Sequence, residues 1–275
     1  MRAFVYRLVT GLITLGLLAA CASNPRIDRS LSTPDQRSRV KYLVLHYTVT
    51  DTPQSIGIFT HQAGVEASIH YLLSNDPEPV IYGIVDENRT AYQAGSDSGW
   101  KGDRNLNNIS IGIEIVNAGW VDGLNGRTWA PFPQKQIDTL IPLVKDIMAR
   151  HHIAPENVVG HADVAPQRKQ DPGALFPWKR LAAEGIVPWP DDSVVAAKRA
   201  QYESALPDIA WFQRKLAAIG YVVPQDGQAN PETRNVLVAF QTRYRPAKID
   251  GEPDAETAAL LDGPMRVSVP MSIDR

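Results

Sequence analysis

The sequence predicts an α/β fold in which a mixed β-sheet is flanked by helices and followed by a small C-terminal all-α domain. Short apolar strand-like runs alternate with helix-periodic segments up to about residue 190, which is the pattern of an α/β domain. The remaining chain carries an internal repeat built from helices. The 275 residues are 44% hydrophobic and 21% charged, so the chain can form one sizeable core and a smaller second unit.

Five strands are predicted from short apolar runs, at residues 40–46, 68–73, 80–85, 109–115 and 158–161. In the fourth run, isoleucines alternate with Ser110, Gly112 and Glu114. Because side chains alternate across a strand, one face of this strand is apolar and the other holds a carboxylate. Such a pattern favours a central strand whose polar face borders a site.

After a turn and helix-start signal at residues 50–53, two further helices are predicted in the α/β part. Residues 134–151 carry an apolar stripe at helical spacing, with Pro142 predicting a kink, and residues 178–184 form a shorter helix. The C-terminal part then repeats a helix, an Asp-Gly turn and a second helix, and its two copies should pack together because neither buries its apolar face alone. The repeated pairs are Phe212-Gln213 and Phe240-Gln241, Asp226-Gly227 and Asp250-Gly251, and Glu232-Thr233 and Glu256-Thr257.

The N-terminus resembles the signal of a bacterial lipoprotein. Arg2 and Arg7 flank the start of an apolar run at 8–20, which is short for a bilayer span, and small residues precede Cys21. We therefore expect Cys21 to become the lipidated first residue of the mature chain, with plain secretion as the alternative. Ala22, in place of an aspartate, favours the periplasmic face of the outer membrane.

The predicted organisation is a lipoprotein leader at 1–20, a tether at 21–38, the α/β domain at 39–190, a partly helical linker at 191–204, the helical domain at 205–262 and a tail at 263–275. A net charge of −2 and a pI of about 6.3 provide no basic surface for nucleic acid, so this class of partner is excluded. Cys21 is the single cysteine, so a lipid on it leaves no thiolate for a disulfide or a metal.

The residues best suited to chemistry lie in the segment GHADVAPQRKQDPGALFPW at 160–178. It places His161, Lys169 and Asp171 in a Pro/Gly-rich loop directly after a predicted strand, where a rigid scaffold can aim reactive side chains. One imidazole and one carboxylate are two of the three protein ligands of an open zinc site. A further ligand must therefore come from elsewhere in the chain.

The chain has six histidines, His46, His61, His70, His151, His152 and His161, and one besides His161 could complete the site. Two of them close a predicted helix, where the helix dipole stabilises a cation, and another is predicted on a helix surface. His70 lies in mid-strand and is better explained as a core histidine, although it stays an alternative ligand. His46 ends a strand just before a turn. By elimination, His46, His161 and Asp171 are the candidate ligands.

Glu114 and Lys169 are the candidate catalytic side chains. A carboxylate on the polar face of a central strand is a buried unpaired charge unless that face lines a polar pocket. Beside a zinc site, Glu114 can act as a general base for water, and Lys169 can donate to a developing oxyanion. The alternatives are a solvent-facing glutamate on a half-exposed strand and an ordinary solvated lysine.

Four ordered segments carry a resemblance to a known family: LHYT at 45–48, SIHY at 68–71, LNNISIGIEI at 106–115 and the segment at 160–178. Together they resemble the zinc-dependent N-acetylmuramoyl-L-alanine amidases of the Amidase_2 family, in particular its outer-membrane lipoproteins, over nearly the whole chain. The C-terminal repeat is similar to the small helical peptidoglycan-binding domain that is often fused to such enzymes.

The resemblance implies an amide hydrolase that cuts between N-acetylmuramic acid and the L-alanine of the peptidoglycan stem peptide during cell-wall turnover. It implies zinc ligands at His46, His161 and Asp171, with one Zn²⁺ per chain. It further implies a catalytic role for Glu114, a transition-state role for Lys169, and muropeptides as partners. Two other functions stay open, a binding-only peptidoglycan module and a metallopeptidase that cuts within the stem peptide. A proton acceptor beside the metal favours an enzyme over a binder.

Two departures from the family pattern are visible. Gln93 occupies a position where relatives commonly have histidine, and we expect altered substrate contacts there. The sequence Arg245-Pro246-Ala247 replaces the usual tight turn in the C-terminal repeat, so the fold of that domain is better predicted than its binding of glycan.

Overall fold

The computed structural model describes residues 27–64, 66–123 and 126–268. Contacts divide the chain into two compact units, residues 1–36 and 37–275. In the first unit, residues 27–36 are exposed and form short-range hydrogen bonds, such as that from Ser30 N to Asp28 at 2.9 Å. The predicted leader at 1–20 and Cys21 lie outside the described residues. In the described part of the chain, no helix combines the length and apolarity needed to cross a membrane.

The second unit combines short strands with helices. The strands are β1 (Tyr42–Tyr47), β2 (Tyr71–Leu73), β3 (Ile81–Gly83), β4 (Gly99–Trp100), β5 (Asp103–Arg104), β6 (Ser110–Ile115), β7 (Trp120–Gly123), β8 (Gly126–Trp129), β9 (Val158–Gly160), β10 (Trp189–Pro190) and β11 (Met265–Arg266). The helices are α1 (Thr52–Phe59), α2 (Gln134–His151), α3 (His161–Val164), α4 (Trp178–Ala183), α5 (Asp192–Ser204), α6 (Ile209–Ile219), α7 (Pro231–Tyr244) and α8 (Ala255–Asp262). Short 3-10 turns at Leu106–Ile109 and Pro155–Asn157 precede β6 and β9.

A five-stranded mixed sheet forms the centre of the α/β part, with the strand order β3-β2-β6-β1-β9. β2, β6, β1 and β9 run parallel, and the edge strand β3 is antiparallel to β2. β1 and β6 are buried along their whole length, as parallel strands covered on both faces are. The predicted fold, a mixed sheet with flanking helices and a C-terminal helical part, is confirmed.

The isoleucine face of β6 packs against α2. Ile111, Ile113 and Ile115 belong to one buried cluster together with Leu140 of that helix. Ile109, which the alternation assigned to the same strand face, lies instead in the 3-10 turn before β6 and packs against a different cluster. The opposite face of β6 is thereby left for polar side chains.

Two segments contain more regular secondary structure than the sequence indicates. The Gly/Pro-rich connection before α2 contains the hairpin of β7 and β8, whose strands are too short to produce a clear alternation. The segment predicted as a partly helical linker is helical almost throughout, as α5, and Asp191 caps it by accepting from Ser193 N at 3.0 Å. Tyr202 in α5 donates to Asp262 of α8 at 2.9 Å. This helix therefore belongs to the C-terminal helical core.

The internal repeat rests on matching hydrogen bonds in its two copies. The side chain of Gln213 accepts from Gly227 N at 2.8 Å and donates to Thr233 Oγ1 at 3.0 Å. Gln241 forms the two equivalent bonds in the second copy, at 2.8 and 3.3 Å. In each copy a fully buried glutamine ties the Asp-Gly turn to the start of the next helix, which explains why these residue pairs recur.

A buried charge pair joins the helical part to the α/β part. Arg243, near the end of α7, donates to Asp163 of α3 at 2.6 Å, and the two side chains are only 5% and 3% exposed. Tyr221 donates to the other oxygen of Asp163 at 2.6 Å. The guanidinium of Arg243 also stacks 4.0 Å from the ring of Trp178. Because Asp163 follows His161 by two residues, the helical part is fixed directly beside the candidate site.

We expect Arg243→Met to lower the free energy of unfolding by about 3–5 kcal/mol, because it leaves the carboxylate of Asp163 buried without its cation. Lys179→Met serves as the control. It removes an exposed pair with Asp192 and should change the free energy of unfolding by less than about 1 kcal/mol. Denaturant unfolding of wild type and both variants measures the difference. If the two variants unfold alike, the buried pair does not stabilise the fold.

Candidate active site

The sheet brings the candidate residues to one edge. In the parallel pairing of β1 with β6, His46 lies directly opposite Glu114. β9 ends at Gly160, which pairs with Leu45, so His161 follows beside the end of β1. The carboxyl ends of parallel strands meet at a single edge, and α/β proteins build their sites there.

Asp171 reaches the same edge through a loop that folds back against β9. Its backbone oxygen accepts from Ala162 N at 2.8 Å. A Cβ atom on Gly160 would lie 2.8 Å from Pro172 Cδ, closer than real Cβ contacts. Glycine at the end of β9 therefore permits the close approach that carries Asp171 into the site.

Three potential ligand atoms converge at this edge. His46 Nδ1 lies 2.9 Å from His161 Nδ1, and each nitrogen lies 3.0 Å from Asp171 Oδ2. All three side chains are buried. Among the described residues, they form a group that could hold a metal ion. The structure thus brings together the three residues that the sequence predicts as ligands.

The outer nitrogen of each imidazole is bonded to a carbonyl oxygen. His46 Nε2 donates to Gln93 Oε1 at 2.6 Å, and His161 Nε2 donates to Ala94 O at 3.3 Å. Since a carbonyl oxygen only accepts, a hydrogen belongs on each Nε2, and the Nδ1 atoms of the neutral rings face Asp171 as acceptors. Three acceptors around one point require a cation, and outer carbonyl partners of this kind orient the histidines of metal sites.

Gln93, at which we expect altered substrate contacts, also contacts a candidate metal ligand. Its side chain lies against His46, and its Nε2 donates to Ser110 Oγ at 2.7 Å while that hydroxyl donates to Leu106 O at 2.6 Å. These bonds assign which end of the amide is oxygen and turn Oε1 towards the imidazole. A Cβ atom on Gly112 would lie 2.8 Å from Gln93 Cδ, so the glycine in β6 makes room for this contact.

The loop at 93–95, which supplies both carbonyl groups, is held from two sides. Asn107 Oδ1 accepts from the backbone nitrogens of residues 93, 94 and 95 at 3.0, 2.7 and 3.3 Å. Arg168 Nη2 donates to Ala94 O at 2.6 Å and pairs with Asp97 at 2.9 Å. Sequence reasoning missed Asn107 and Arg168 because both act through the backbone of this loop, which leaves no pattern of spaced residues.

Glu114 lines a cavity of about 460 Å³ together with His161 and Asp171. Its side chain is buried, and Oε2 has no hydrogen-bond partner within the described part of the chain. Burial raises the pKa of Glu114 to about 8, with the charge of His46 opposing the shift and that of Asp171 adding to it. A carboxyl group that titrates near neutral pH in a cavity is suited to exchanging protons with a ligand.

The three side chains of the triad shift one another's pKa values. Burial acts to raise the pKa of Asp171, but the charges and hydrogen bonds of His161 and His46 outweigh it and hold that pKa well below its usual range. Burial acts to lower the pKa of His46, yet the hydrogen bond to Asp171 and the charge of Glu114 raise it overall. For His161 burial dominates, and the pKa falls to about 4. A metal ion at this point would compete with protonation of these side chains.

Lys169 is half-buried and lines the same cavity as Glu114, His161 and Asp171. His46 does not line it but contacts His161 and Asp171 directly, so the five predicted site residues are neighbours. The other histidines with described contacts lie elsewhere. His70 is fully buried, accepts from Gly112 N at 3.1 Å and has the core role expected of it. His151 lies 2.8 Å from a carboxylate oxygen of Glu87, which is not a member of the triad.

Comparison with known proteins adds the family. Residues 36–174 match the Amidase_2 model, described as N-acetylmuramoyl-L-alanine amidase, and residues 206–261 match a putative peptidoglycan binding domain. The chain is 42% identical over 262 residues to the N-acetylmuramoyl-L-alanine amidase AmiD of Escherichia coli K12, covering 90% of this chain and 92% of AmiD. It is 32% identical over 137 residues to the 1,6-anhydro-N-acetylmuramyl-L-alanine amidase AmpD of Enterobacter cloacae, covering 50% of this chain and 67% of AmpD.

Solved structures give the same result. The complex of Escherichia coli AmiD with anhydro-N-acetylmuramic acid-L-Ala-D-gamma-Glu-L-Lys aligns with a TM-score of 0.77 at 42% identity, over 86% of this chain and 93% of AmiD. AmpDh3 of Pseudomonas aeruginosa aligns with a TM-score of 0.77 at 37% identity, over 86% of this chain and 96% of AmpDh3. With the family model matched and AmiD similar over nearly its full length, the chain belongs to the Amidase_2 family of N-acetylmuramoyl-L-alanine amidases.

Proposed function

We propose that this protein hydrolyses the amide between N-acetylmuramic acid and the L-alanine of the peptidoglycan stem peptide. The observation that carries the proposal is the position of Glu114, a buried carboxylate with an unpaired oxygen in the cavity of the His46, His161 and Asp171 triad. A protein that only binds has no use for a proton acceptor there. Membership of the amidase family and 42% identity to AmiD support the choice of bond.

The metal we propose is Zn²⁺, one ion per chain. Two imidazole nitrogens and one carboxylate oxygen form the ligand set of open catalytic zinc sites, which keep a position for water or substrate. The hydrogen bonds from both outer ring nitrogens to carbonyl oxygens support this assignment. When bound, zinc supplies a Lewis acid for the scissile carbonyl and the attacking water.

Glu114 accepts the proton of the attacking water and passes it to the leaving nitrogen. With a pKa of about 8 before a metal binds, and a lower one beside a divalent cation, the carboxylate form is available at neutral pH. Lys169 lines the cavity and donates to the oxyanion that develops on the scissile carbonyl. The two side chains thus divide proton transfer and charge stabilisation between them.

Mass spectrometry of a defined muropeptide tests the reaction. We expect the zinc-loaded protein to release a free muramoyl sugar and an intact stem peptide, and a chelator to stop the release. Glu114→Gln should lower kcat by about 10²- to 10⁴-fold, because the amide cannot accept the proton, while keeping about one equivalent of zinc.

The products separate the alternatives. Shortened peptides would identify a metallopeptidase, and an unchanged muropeptide would identify a binding module. Asp76→Ala, in an exposed turn away from the cavity, is the matched control and should keep the wild-type rate. A Glu114→Gln variant with the wild-type rate would remove Glu114 from the mechanism.

Zinc affinity tests the ligand set and its orienting residue. Asp171→Ala removes a ligand and should abolish stoichiometric binding of zinc. Gln93→Ala leaves the ligands in place but removes the acceptor for His46 Nε2, so we expect about 10- to 100-fold weaker binding. Chelator competition measures both, with the exposed Gln62→Ala as control. Full zinc occupancy in Asp171→Ala would show that the ligand set is wrong.

We also propose that Cys21 carries a lipid that tethers the chain to the periplasmic face of the outer membrane. The support is the N-terminal sequence, with its basic, apolar and small-residue segments before Cys21. The leader at 1–20 is then removed, and residues 21–38 form the tether. The rest of the chain faces the periplasm. It comprises the α/β domain at 39–190, the linker at 191–204, the helical domain at 205–262 and the tail at 263–275. Cys21→Ser should move the protein from the membrane to the soluble fraction and abolish labelling by fatty acid. Retention and labelling of the variant would exclude this anchor.

A further inference from the structure

The catalytic cavity continues into a second cavity of about 760 Å³. The two share lining residues, namely Phe59, Glu66, Ala67, Tyr92 and Asn107. We call the second cavity the polar arm; Ser68, Tyr92, Ser96, Asn105 and Asn108 are the residues that define it. Its volume lies within the range of about 300–1,000 Å³ that is usual for small-molecule sites. The arm is therefore large enough to hold part of a ligand whose other part occupies the catalytic cavity.

The lining of the polar arm suits an uncharged ligand rich in hydroxyl and amide groups. It offers the amides of Asn105 and Asn108 and the hydroxyl of Ser96, which can donate as well as accept hydrogen bonds. Tyr92 adds an aromatic ring and is 66% exposed. The backbone nitrogen of Tyr92 donates to Ser68 Oγ at 2.8 Å, which fixes the chain that carries the ring.

The boundary between the arm and the catalytic cavity is rigid. Asn107 lines both cavities, and its side-chain oxygen holds the backbone of residues 93–95. The same loop supplies the carbonyl groups that orient His46 and His161. A ligand bound in the arm therefore contacts the same part of the chain that orients the candidate metal ligands. Binding away from the reacting bond contributes to catalysis by placing that bond correctly.

Charge decides which part of a muropeptide occupies the arm. A stem peptide ends in a carboxylate, whereas the N-acetylhexosamine next to muramic acid in a glycan strand is uncharged. Arg168 and Lys169 line the catalytic cavity, whereas the described lining of the arm contains neither arginine nor lysine. The arm includes His61, and the acidic Glu66 lines both cavities. Lys169 also borders a cleft against α7 that shares no lining residue with the arm. The carboxylate of the peptide thus favours the Lys169 side, and the arm favours the sugar.

We propose that the polar arm binds the N-acetylhexosamine adjacent to the muramoyl group, so that the enzyme prefers muropeptides that still carry a second sugar. This inference rests on the proposed amidase function and adds the extent of the glycan that the site recognises. Hydrogen bonds to the amides and contact with Tyr92 stabilise the longer substrate through the reaction.

The test compares kcat/KM of the zinc-loaded protein on two muropeptides with the same stem peptide, one with a single muramoyl sugar and one with the disaccharide. We expect wild type to favour the disaccharide about tenfold, the effect of one to two added hydrogen bonds. The double variant Tyr92→Ala/Asn108→Ala should bring the ratio close to one. The ratio is taken on one preparation, so any loss of folded protein cancels. Tyr82→Ala, in β3 and outside both cavities, should keep the wild-type ratio.

The outcomes are distinct for the two proposals. A wild-type ratio of one, with both substrates cut at the muramoyl amide, overturns the glycan subsite and leaves the amidase function intact. A preference for the disaccharide that survives in the double variant also overturns it, because the preference then arises elsewhere. If wild type cleaves neither substrate, the proposed function fails and the subsite fails with it.

Discussion

The site depends on one constraint: His46 Nδ1, His161 Nδ1 and Asp171 Oδ2 lie about 3 Å apart, and none of these atoms carries a hydrogen when the rings are neutral and the carboxylate is ionised. The outer hydrogen bonds to Gln93 and Ala94 leave the Nδ1 atoms without a donor role when the rings are neutral. Such a cluster is stable only with a cation at its centre, either a proton or a metal ion. The fold accordingly holds three acceptor atoms around a point where a cation must bind.

Close approaches between backbone segments bring the side chains of the site together. Parallel pairing puts His46 opposite Glu114, and the glycine at the end of β9 lets the loop of Asp171 come within contact distance. The glycine in β6 does the same for Gln93. Where a side chain must reach a buried point between strands, its neighbours have to be small, and this explains the alternation of glycine with polar residues on that face of the sheet.

Sequence reasoning predicts those parts of the molecule that local patterns encode. The alternation around Glu114 predicts a central strand with a polar face, and the loop of His161 and Asp171 predicts two members of a metal site. The choice of His46 rests on its place at a strand end, and the register of β1 with β6 supplies the reason for its proximity to Glu114. The repeat in the C-terminal part is predicted because each glutamine bonds to the Asp-Gly turn of its own copy, so the same residue pairs recur in the sequence.

Other features depend on contacts between distant segments and leave no local signal. Gln93 orients His46 across 47 residues, and Arg243 reaches Asp163 across 80 residues. The sequence predicts some helix in the segment of α5, but its packing on α8, where Tyr202 joins the cluster of Leu260, is a contact between distant segments. In each case the residue type is ordinary, and only the three-dimensional neighbour gives it a role.

The salt bridge from α7 into α3 has a consequence for how the chain handles a polymer. A carbohydrate-recognition module on a flexible linker can search for glycan independently of its enzyme and release it at any angle. Here residues 37–275 form one compact unit, and the guanidinium of Arg243 pairs with Asp163 in α3, the helix that begins at His161. The helical repeat is therefore held against the α/β part beside the candidate site. A chimera that exchanges the repeat for another module leaves Asp163 buried without its cation, unless that module supplies one.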